Sequence, residues 1–268
     1  MSTTRIATWN INSVRLRLPI VRRFVQTYRP DVICLQEIKC EDGKFPYQDF
    51  REMGYPHMEV FGQKSYHGVA TVSRVPLTGT ERLKWAGKDD TRHLLTRLPG
   101  DVEVHNFYVP AGGDEPDPAV NEKFDHKLRF LDEVTAWFAE RRTDSARAIV
   151  VGDLNIAPHE NDVWSHKKLL KVVSHTPIEV ARMADWIASH GFHDVVRAFV
   201  PDTEQLYSWW SYRAKDWDAA DKGRRLDHIW VTPALVGAPK GMEVVREARG
   251  WGEKPSDHVP IWMDIDLG

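Results

Sequence analysis

A set of polar residues in this chain stands where apolar runs stop, and their types suit phosphate and hard cations. They are Asn10, Glu37, Tyr108, Asp153 with Asn155, Asp227, and the adjacent Asp257 and His258. Each alone has an ordinary explanation. An Asn or Asp at a strand end is usually a turn former, and a solitary His is usually a hydrogen-bonded structural residue. The pair in VGDLN is harder to dismiss. Asp153 and Asn155 share one face of an apolar run with only Leu154 between them, and burying both without partners is costly. Repetition at so many strand ends makes turn formation a poor explanation of the whole set. Glu37, Asp153, Asp227 and Asp257 are hard oxygen donors, joined by the amides Asn10 and Asn155; such ligands suit Mg²⁺ or Mn²⁺ rather than zinc. Carboxylates with one His fit hydrolysis at a phosphate, where a metal neutralises developing charge and a carboxylate activates water.

The elements that must position these groups follow from periodicity. Residues 5–11, RIATWNI, alternate as a strand and end in two amides, Asn10 and Asn12, before the arginines Arg15, Arg17, Arg22 and Arg23. Helical spacing is predicted over 18–28, with Pro19 at the start, and over 120–142 and 178–190. Residues 31–37, 67–74, 102–110, 148–156, 225–232 and 258–267 read as strands, and the Gly/Pro-rich 111–119 reads as loop. Strands outnumber helices and no linker divides the chain, which predicts one α+β or α/β domain with more than one sheet.

Composition narrows the function. The chain has 268 residues, 42% hydrophobic and 28% charged, with net charge −3, so an anionic partner must be met by a local patch. Candidate patches are Arg15 and Arg17, Lys167–Lys168–Lys171, Arg213–Lys215 and Lys222–Arg224–Arg225; a basic run is usually a solvated face, whereas several on one side make a nucleic-acid stripe. Two cysteines, Cys34 and Cys40, are too few for a disulfide framework, and with no signal-peptide pattern at the start a reduced, cytoplasmic protein is expected. No apolar run approaches the roughly 18 residues of a membrane helix. Glycine-rich phosphate loops, GxSxG and HExxH are absent.

WNINSVR, LQEIK, HGVA, NFYVP, GDLNIAP, SWWSYR, RLDHIWVT and PSDHVPI follow one another in an order that resembles the exonuclease III family of apurinic/apyrimidinic endonucleases, over essentially the whole chain. GDLN with a terminal SDH is similar to the wider endonuclease/exonuclease/phosphatase superfamily; SWWSYR and LQEIK resemble its DNA-repair branch. The resemblance implies a four-layer αββα sandwich, two mixed β-sheets packed face to face with helices outside, formed by residues 1–268 as one catalytic domain. It implies Mg²⁺ as cofactor, with Mn²⁺ as substitute, and double-stranded DNA with abasic sites or blocked 3′ ends as partner. Cleavage 5′ to an abasic site, 3′→5′ exonuclease and 3′-phosphatase activities go with it, in a monomer. Glu37 then looks like the principal metal ligand, with Asn10 and Asp257 beside it, and Asp153, Asn155 and His258 touching the metal region. Asp153 resembles the group that activates water, Asn155 the amide on the scissile phosphate, Tyr108 the catalytic tyrosine, and His258 the histidine beside the phosphate, oriented by Asp227. Arg15 and Arg17 are expected on the DNA backbone, and Asn12 either there or as a turn former. Trp209, Trp210 and Leu226 are the candidate walls of a pocket for a bare sugar, with one tryptophan of the pair expected to dominate because neighbours on a strand face opposite ways. The chain departs from the family at Ala111, where an amide side chain is frequent, and at Ser13–Val14, where a Gly is common. A phosphodiesterase of the same superfamily acting on RNA or a phospholipid, and a DNA-binding module with a dead site, are the alternatives.

Overall fold

The structure, a computed structural model, describes residues 3–268. Its strands are β1 (Thr4–Asn10), β2 (Val32–Gln36), β3 (His57–Phe61), β4 (Val69–Ser73), β5 (Gly79–Leu83), β6 (His93–Leu98), β7 (Val102–Tyr108), β8 (Ala148–Asp153), β9 (His193–Asp194), β10 (Trp209–Trp210), β11 (Gly223–Arg224), β12 (Asp227–Val231), β13 (Pro239–Val244) and β14 (Ile261–Ile265). They form two six-stranded mixed sheets, ordered β13-β14-β1-β2-β4-β3 and β5-β6-β7-β8-β12-β9, and a small ribbon of β10 and β11. The expected strand over 5–11 is present one residue earlier, those over 31–37, 67–74, 102–110, 148–156, 225–232 and 258–267 are present with shorter bounds, and the first helix is Leu18–Tyr28 as read from its spacing. No helix among the described residues is long and apolar enough to cross a membrane.

Alternation along each central strand assigns its side chains to layers. On β1, Ala7 and Trp9 point outward to pack with Phe24 of the Leu18–Tyr28 helix. Ile6 points inward and meets Val32 and Cys34 of β2, Val104 of β7, Val151 of β8 and Ile229 of β12. On the far side, Phe107, Val150 and Trp230 pack under Phe130, Val134 and Phe138 of helix Glu122–Glu140 and Met183 and Trp186 of helix Pro177–His190. The layers therefore run helix, sheet, sheet, helix, as the motif resemblance implies.

The same alternation continues into the polar residues. Asn10, Tyr108, Asp153 and Asp227 keep the parity of the inward apolar positions on β1, β7, β8 and β12, so they enter the space between the sheets at one end. β1 runs parallel to β2 and β7 parallel to β8, while β12 runs antiparallel to β8 and pairs Asp227 with Asp153. The C-terminal ends of four strands and the start of β12 thus meet there. Beneath them lies a buried polar floor: Gln36 donates to Thr8 Oγ1 (3.0 Å) and Asn106 Oδ1 (2.7 Å), and Asn106 donates to the carbonyls of Leu35 (3.2 Å) and Ala70 (3.0 Å). These bonds satisfy groups that would otherwise be costly to bury. Gly152, the glycine of VGDLN, is fixed by the sheet itself, because a Cβ there would lie 1.9 Å from the Phe107 carbonyl oxygen.

Candidate active site

Asn10 is the hub of the inter-sheet end. Its Nδ2 donates to Glu37 Oε1 (2.9 Å) and Asp153 Oδ2 (2.8 Å). Glu37 Oε1 also accepts from the Tyr108 hydroxyl (2.9 Å), and its Oε2 meets the Lys39 ammonium (2.8 Å). Asp153 Oδ1 accepts the backbone N–H of Asn155 (3.0 Å), while the Asn155 amide nitrogen donates to Val109 O (2.9 Å) and Asp153 Oδ2 (3.2 Å), leaving the Asn155 carboxamide oxygen as the acceptor. His258 Nδ1 pairs with Asp227 Oδ2 (2.8 Å), which also accepts from Ser208 (2.6 Å), and His258 Nε2 lies 3.6 Å from Asp153. Asp257 accepts from Asn12 Nδ2 (3.0 Å) and from the Trp209 indole (3.0 Å). Asn12, Ser13, Glu37, Lys39, His67 and Asn155 all carry positive φ, between 47° and 87°. Non-glycine residues in that region cost about 1 kcal/mol or more each and gather at functional sites.

The charges respond to this crowding. Burial, with Asp227 and Glu37 adding to it against the opposing pull of His258, pushes the Asp153 carboxyl up to about 7. Burial alone would lower His258; the carboxylates of Asp227, Asp153 and Asp257 overturn that and raise it to about 10. Burial would likewise raise Glu37, but Lys39 and Asn10 hold it below its ordinary value. Tyr108 is pushed well above the usual phenol range by burial, Glu37 and Asp153.

The donor set fits a hard cation. Among the described residues, Glu37 is paired with Lys39, Asp153 and Asp227 lie against His258, and Asp227 Oδ1 is buried without a hydrogen-bond partner. Asp153, Asp227 and His258 present ligand atoms within 4.8 Å of one another. A protonated imidazole cannot ligate, whereas carboxylate and amide oxygens can.

These groups open onto a cleft of about 560 Å³ lined by Glu37, Tyr108, Asp153, Asn155, Asp257 and His258 on its floor, Trp164, Trp209 and Leu226 on one wall, and Arg213, Lys222 and Arg224 on its rim. The tryptophan pair divides as the strand alternation demands. Trp209 is half-buried in the cleft wall with Arg224 over its ring at 5.3 Å. Trp210 is a correction to the expected pocket: it is 2% exposed, packs in the core with Tyr207 and Trp251, and donates to Asp221 (2.9 Å). Arg17 is a second correction. It is buried, and its guanidinium is taken up by Lys254 O, Ile11 O and Tyr212 Oη, so it ties loops together and does not face phosphate. Arg225, expected within a basic patch, is fully buried against Asp162 (2.7 Å) and Asp194 (2.7 Å). Arg15 is exposed, and Asn12 is half-buried beside Asp257. Ser13 holds φ 87°, the conformation that a Gly supplies without strain. Sequence reasoning passed over Lys39, although it lies inside LQEIK, and Arg92, whose guanidinium lies 4.8 Å over the Tyr108 ring and bonds the Tyr108 carbonyl (3.3 Å). Nothing in the run TRHLL marks that arginine as buried.

Two mixed sheets face to face, with carboxylates, amides and a charged imidazole at one shared end, define a class of phosphoester hydrolases. The chain belongs to the endonuclease/exonuclease/phosphatase family, whose sequence model matches residues 7–258. It is 30% identical to exodeoxyribonuclease III of Haemophilus influenzae, over 97% of this chain and 99% of that one. Among solved structures it resembles an AP endonuclease from Archaeoglobus fulgidus (TM-score 0.90, 32% identity, 98% of this chain and 99% of that one). It also resembles a 3′–5′ exonuclease from Neisseria meningitidis (TM-score 0.88, 32% identity, 98% of this chain and 100% of that one).

Proposed function

We propose that this chain is a DNA-repair nuclease that hydrolyses phosphodiesters in duplex DNA 5′ to abasic sites and trims blocked 3′ ends. The observation that carries the reading is the convergence of Glu37, Tyr108, Asp153, Asn155 and His258 on the floor of one cleft, with Asn10 and Asp227 buried beneath and bonded to them. Asp153 takes the proton of the attacking water as its oxygen bonds to phosphorus. The charged His258 ring, steadied by Asp227, faces the phosphate oxygens as negative charge builds on them, and an Asn155 N–H turns to them on giving up its bond to Asp153 Oδ2 as that carboxylate takes the water's proton. The P–O3′ bond breaks, and the leaving oxygen receives its proton from the Tyr108 hydroxyl or from solvent, giving a 3′-hydroxyl and a 5′-phosphate. Glu37 would hold Mg²⁺ together with oxygens of Asn10, Asp153, Asn155 and Asp257, and a bound ion supplies Lewis-acid stabilisation of that charge. The Trp209–Leu226 wall favours a sugar without a base, which leaves the stack at little cost. The rim cations Arg213, Lys222 and Arg224 supply the local patch that a chain of net charge −3 needs. The test is a panel of substrates with Mg²⁺: duplex DNA with one abasic analogue, duplex DNA with a 3′-phosphate, single-stranded RNA and a phosphoinositide. Cleavage of the two damaged duplexes is expected, and turnover confined to RNA or lipid would overturn the reading.

A further inference from the structure

Behind the cleft, in the helix layer, lies a fully buried ion pair. Lys127 of helix Glu122–Glu140 and Glu179 of helix Pro177–His190 are both 0% exposed, with Lys127 Nζ 2.5 Å from Glu179 Oε1. Neither charge meets water, and a buried pair of this kind is weak evidence of stabilisation, since apolar or neutral replacements are often as stable. What distinguishes it is what else the two groups hold. The Lys127 ammonium also donates to the main-chain carbonyl of Asn155 (2.8 Å) and approaches that of Ala111 (3.4 Å). Its aliphatic stem fills the space beside Gly112, where an added Cβ would lie 3.0 Å from Lys127 Cδ. The Glu179 carboxylate accepts from Ser174 N (3.0 and 2.9 Å), Thr176 N (3.2 Å) and Thr176 Oγ1 (2.6 Å). One ion pair therefore grips the segments that follow β7 and β8 and the segment 173–176, and all three line the cleft.

The grip on Asn155 matters most. Asn155 sits at φ 53°, a left-handed conformation that directs its carbonyl away from the sheet and back toward the helix layer. A carbonyl turned into the interior needs a donor, and Lys127 is the side chain that supplies one. The same turn sets the Asn155 carboxamide against Asp153 Oδ2 (3.2 Å) and Val109 O (2.9 Å).

We propose that Lys127 and Glu179 form a positioning pair: through the Asn155 carbonyl they fix the turn that aims the Asn155 carboxamide at the phosphate and spaces it from Asp153. The pair touches no substrate and acts only through that loop; its kinetic consequence rests on the nuclease reading, whereas its geometric consequence does not. Two charges removed together separate positioning from stability. Lys127→Met/Glu179→Gln leaves no lone buried charge, keeps an acceptor for the Ser174 and Thr176 donors, and removes the ammonium that holds the Asn155 carbonyl.

The experiment takes wild type and the double variant, with Glu179→Gln as a second variant that retains the ammonium. It measures thermal unfolding, steady-state nicking of an abasic-analogue duplex, and a crystal structure of the double variant. The double variant is expected to unfold near the wild-type temperature, to show Asn155 out of the left-handed region, and to lose kcat by about 10- to 100-fold, the scale for misplacing a reacting group by about 1 Å, with KM changed by less than about threefold. Glu179→Gln, which leaves the ammonium buried without its counter-charge, is expected to unfold at a lower temperature while keeping the Asn155 turn and more of kcat than the double variant. An unchanged Asn155 turn overturns the proposal, as does a kcat equal to wild type in a nicking wild-type enzyme, or a loss carried by KM alone. If wild type itself does not nick DNA, the nuclease reading fails, and the crystal structure still decides the positioning role.

Discussion

Replacing Trp209 should change which DNA ends the enzyme accepts more than it changes the chemistry. The indole does two separable things. Its N–H donates to Asp257 Oδ2 at 3.0 Å, and its ring walls the cleft beside Leu226, with the Arg224 guanidinium 5.3 Å above it. Trp209→Phe removes the first and keeps most of the second; Trp209→Ala removes both. Loss of an aromatic contact to a nucleotide is worth about 1–3 kcal/mol, which corresponds to a roughly 5- to 150-fold fall in kcat/KM. Asp257 keeps its bond from Asn12, so the floor of the site survives. The assay compares kcat/KM for nicking at an abasic analogue with that for removing a 3′ nucleotide from an undamaged duplex, in folded wild type, Trp209→Phe, Trp209→Ala and Trp210→Ala. Abasic nicking should fall through that range in Trp209→Ala, trimming should fall less, and Trp209→Phe should lie between. Equal proportional losses on both substrates, or the same selective loss in a folded Trp210→Ala, would refute the assignment of Trp209 as the selecting wall.

Asp227 and His258 share one hydrogen bond at 2.8 Å, so Asp227→Asn and His258→Ala should each reduce nicking severely while the double variant is little worse than the worse single; strictly additive losses would give them separate jobs. Gly152→Ala places a Cβ 1.9 Å from the Phe107 carbonyl oxygen and should lower unfolding stability by about 3 kcal/mol or more, read by urea denaturation, whereas a wild-type midpoint would mean that β7 and β8 are spaced more widely. Acid should destabilise the fold at identified carboxylates. Burial alone would raise Asp90, Asp162 and Asp194, but His126 with Arg92 brings Asp90 down to about 2, and Arg225 holds the other two below their ordinary value. Their folded values are depressed, so their contribution is complete above the unfolded carboxyl range near about 4 and is lost as pH falls toward about 2. Urea midpoints should therefore drop across that window and drop less in Asp90→Asn, and a flat profile would show that these pairs contribute nothing.

Much of the site could be read from the sequence because of one geometric fact. Strands β2 and β8 are buried on both faces and read as apolar runs, β1 and β7 keep apolar residues at alternate positions, and polar residues at their ends stand out. Parity along the strand then carried Asn10, Tyr108, Asp153 and Asp227 to the same inner face. Strands β5 and β13 were not read because they lie at sheet edges, where GTERL and PKGMEV are partly exposed and carry no apolar alternation. Strand β6 was missed for a different reason: HLLTRL mixes His93 and Thr96 into a buried element, and the His93 ring is accommodated by stacking on Phe107 at 3.7 Å. Charged residues misled most. Arg17, Arg225, Lys127 and Glu179 look like solvated positions in a one-dimensional pattern, and only the three-dimensional placement of their partners shows that they are buried and paired. Trp209 and Trp210 were separable in principle, since neighbours on a strand face opposite ways, but which one faced the cleft depended on a two-residue ribbon paired to Arg224 and Gly223.

The most direct measurement uses a 5′-labelled duplex with a single abasic analogue, incubated with Mg²⁺ and wild type, with wild type in excess EDTA, and with Glu37→Gln. Wild type should give, at early times, a product ending in a 3′-hydroxyl immediately 5′ to the lesion. EDTA should abolish it, and Glu37→Gln, which keeps the side chain's shape but removes an anionic donor, should reduce it by orders of magnitude, with partial recovery in Mn²⁺. An intact duplex after prolonged incubation with wild type, or the same product at the same rate in EDTA or in Glu37→Gln, would contradict a metal-assisted nuclease centred on this cleft.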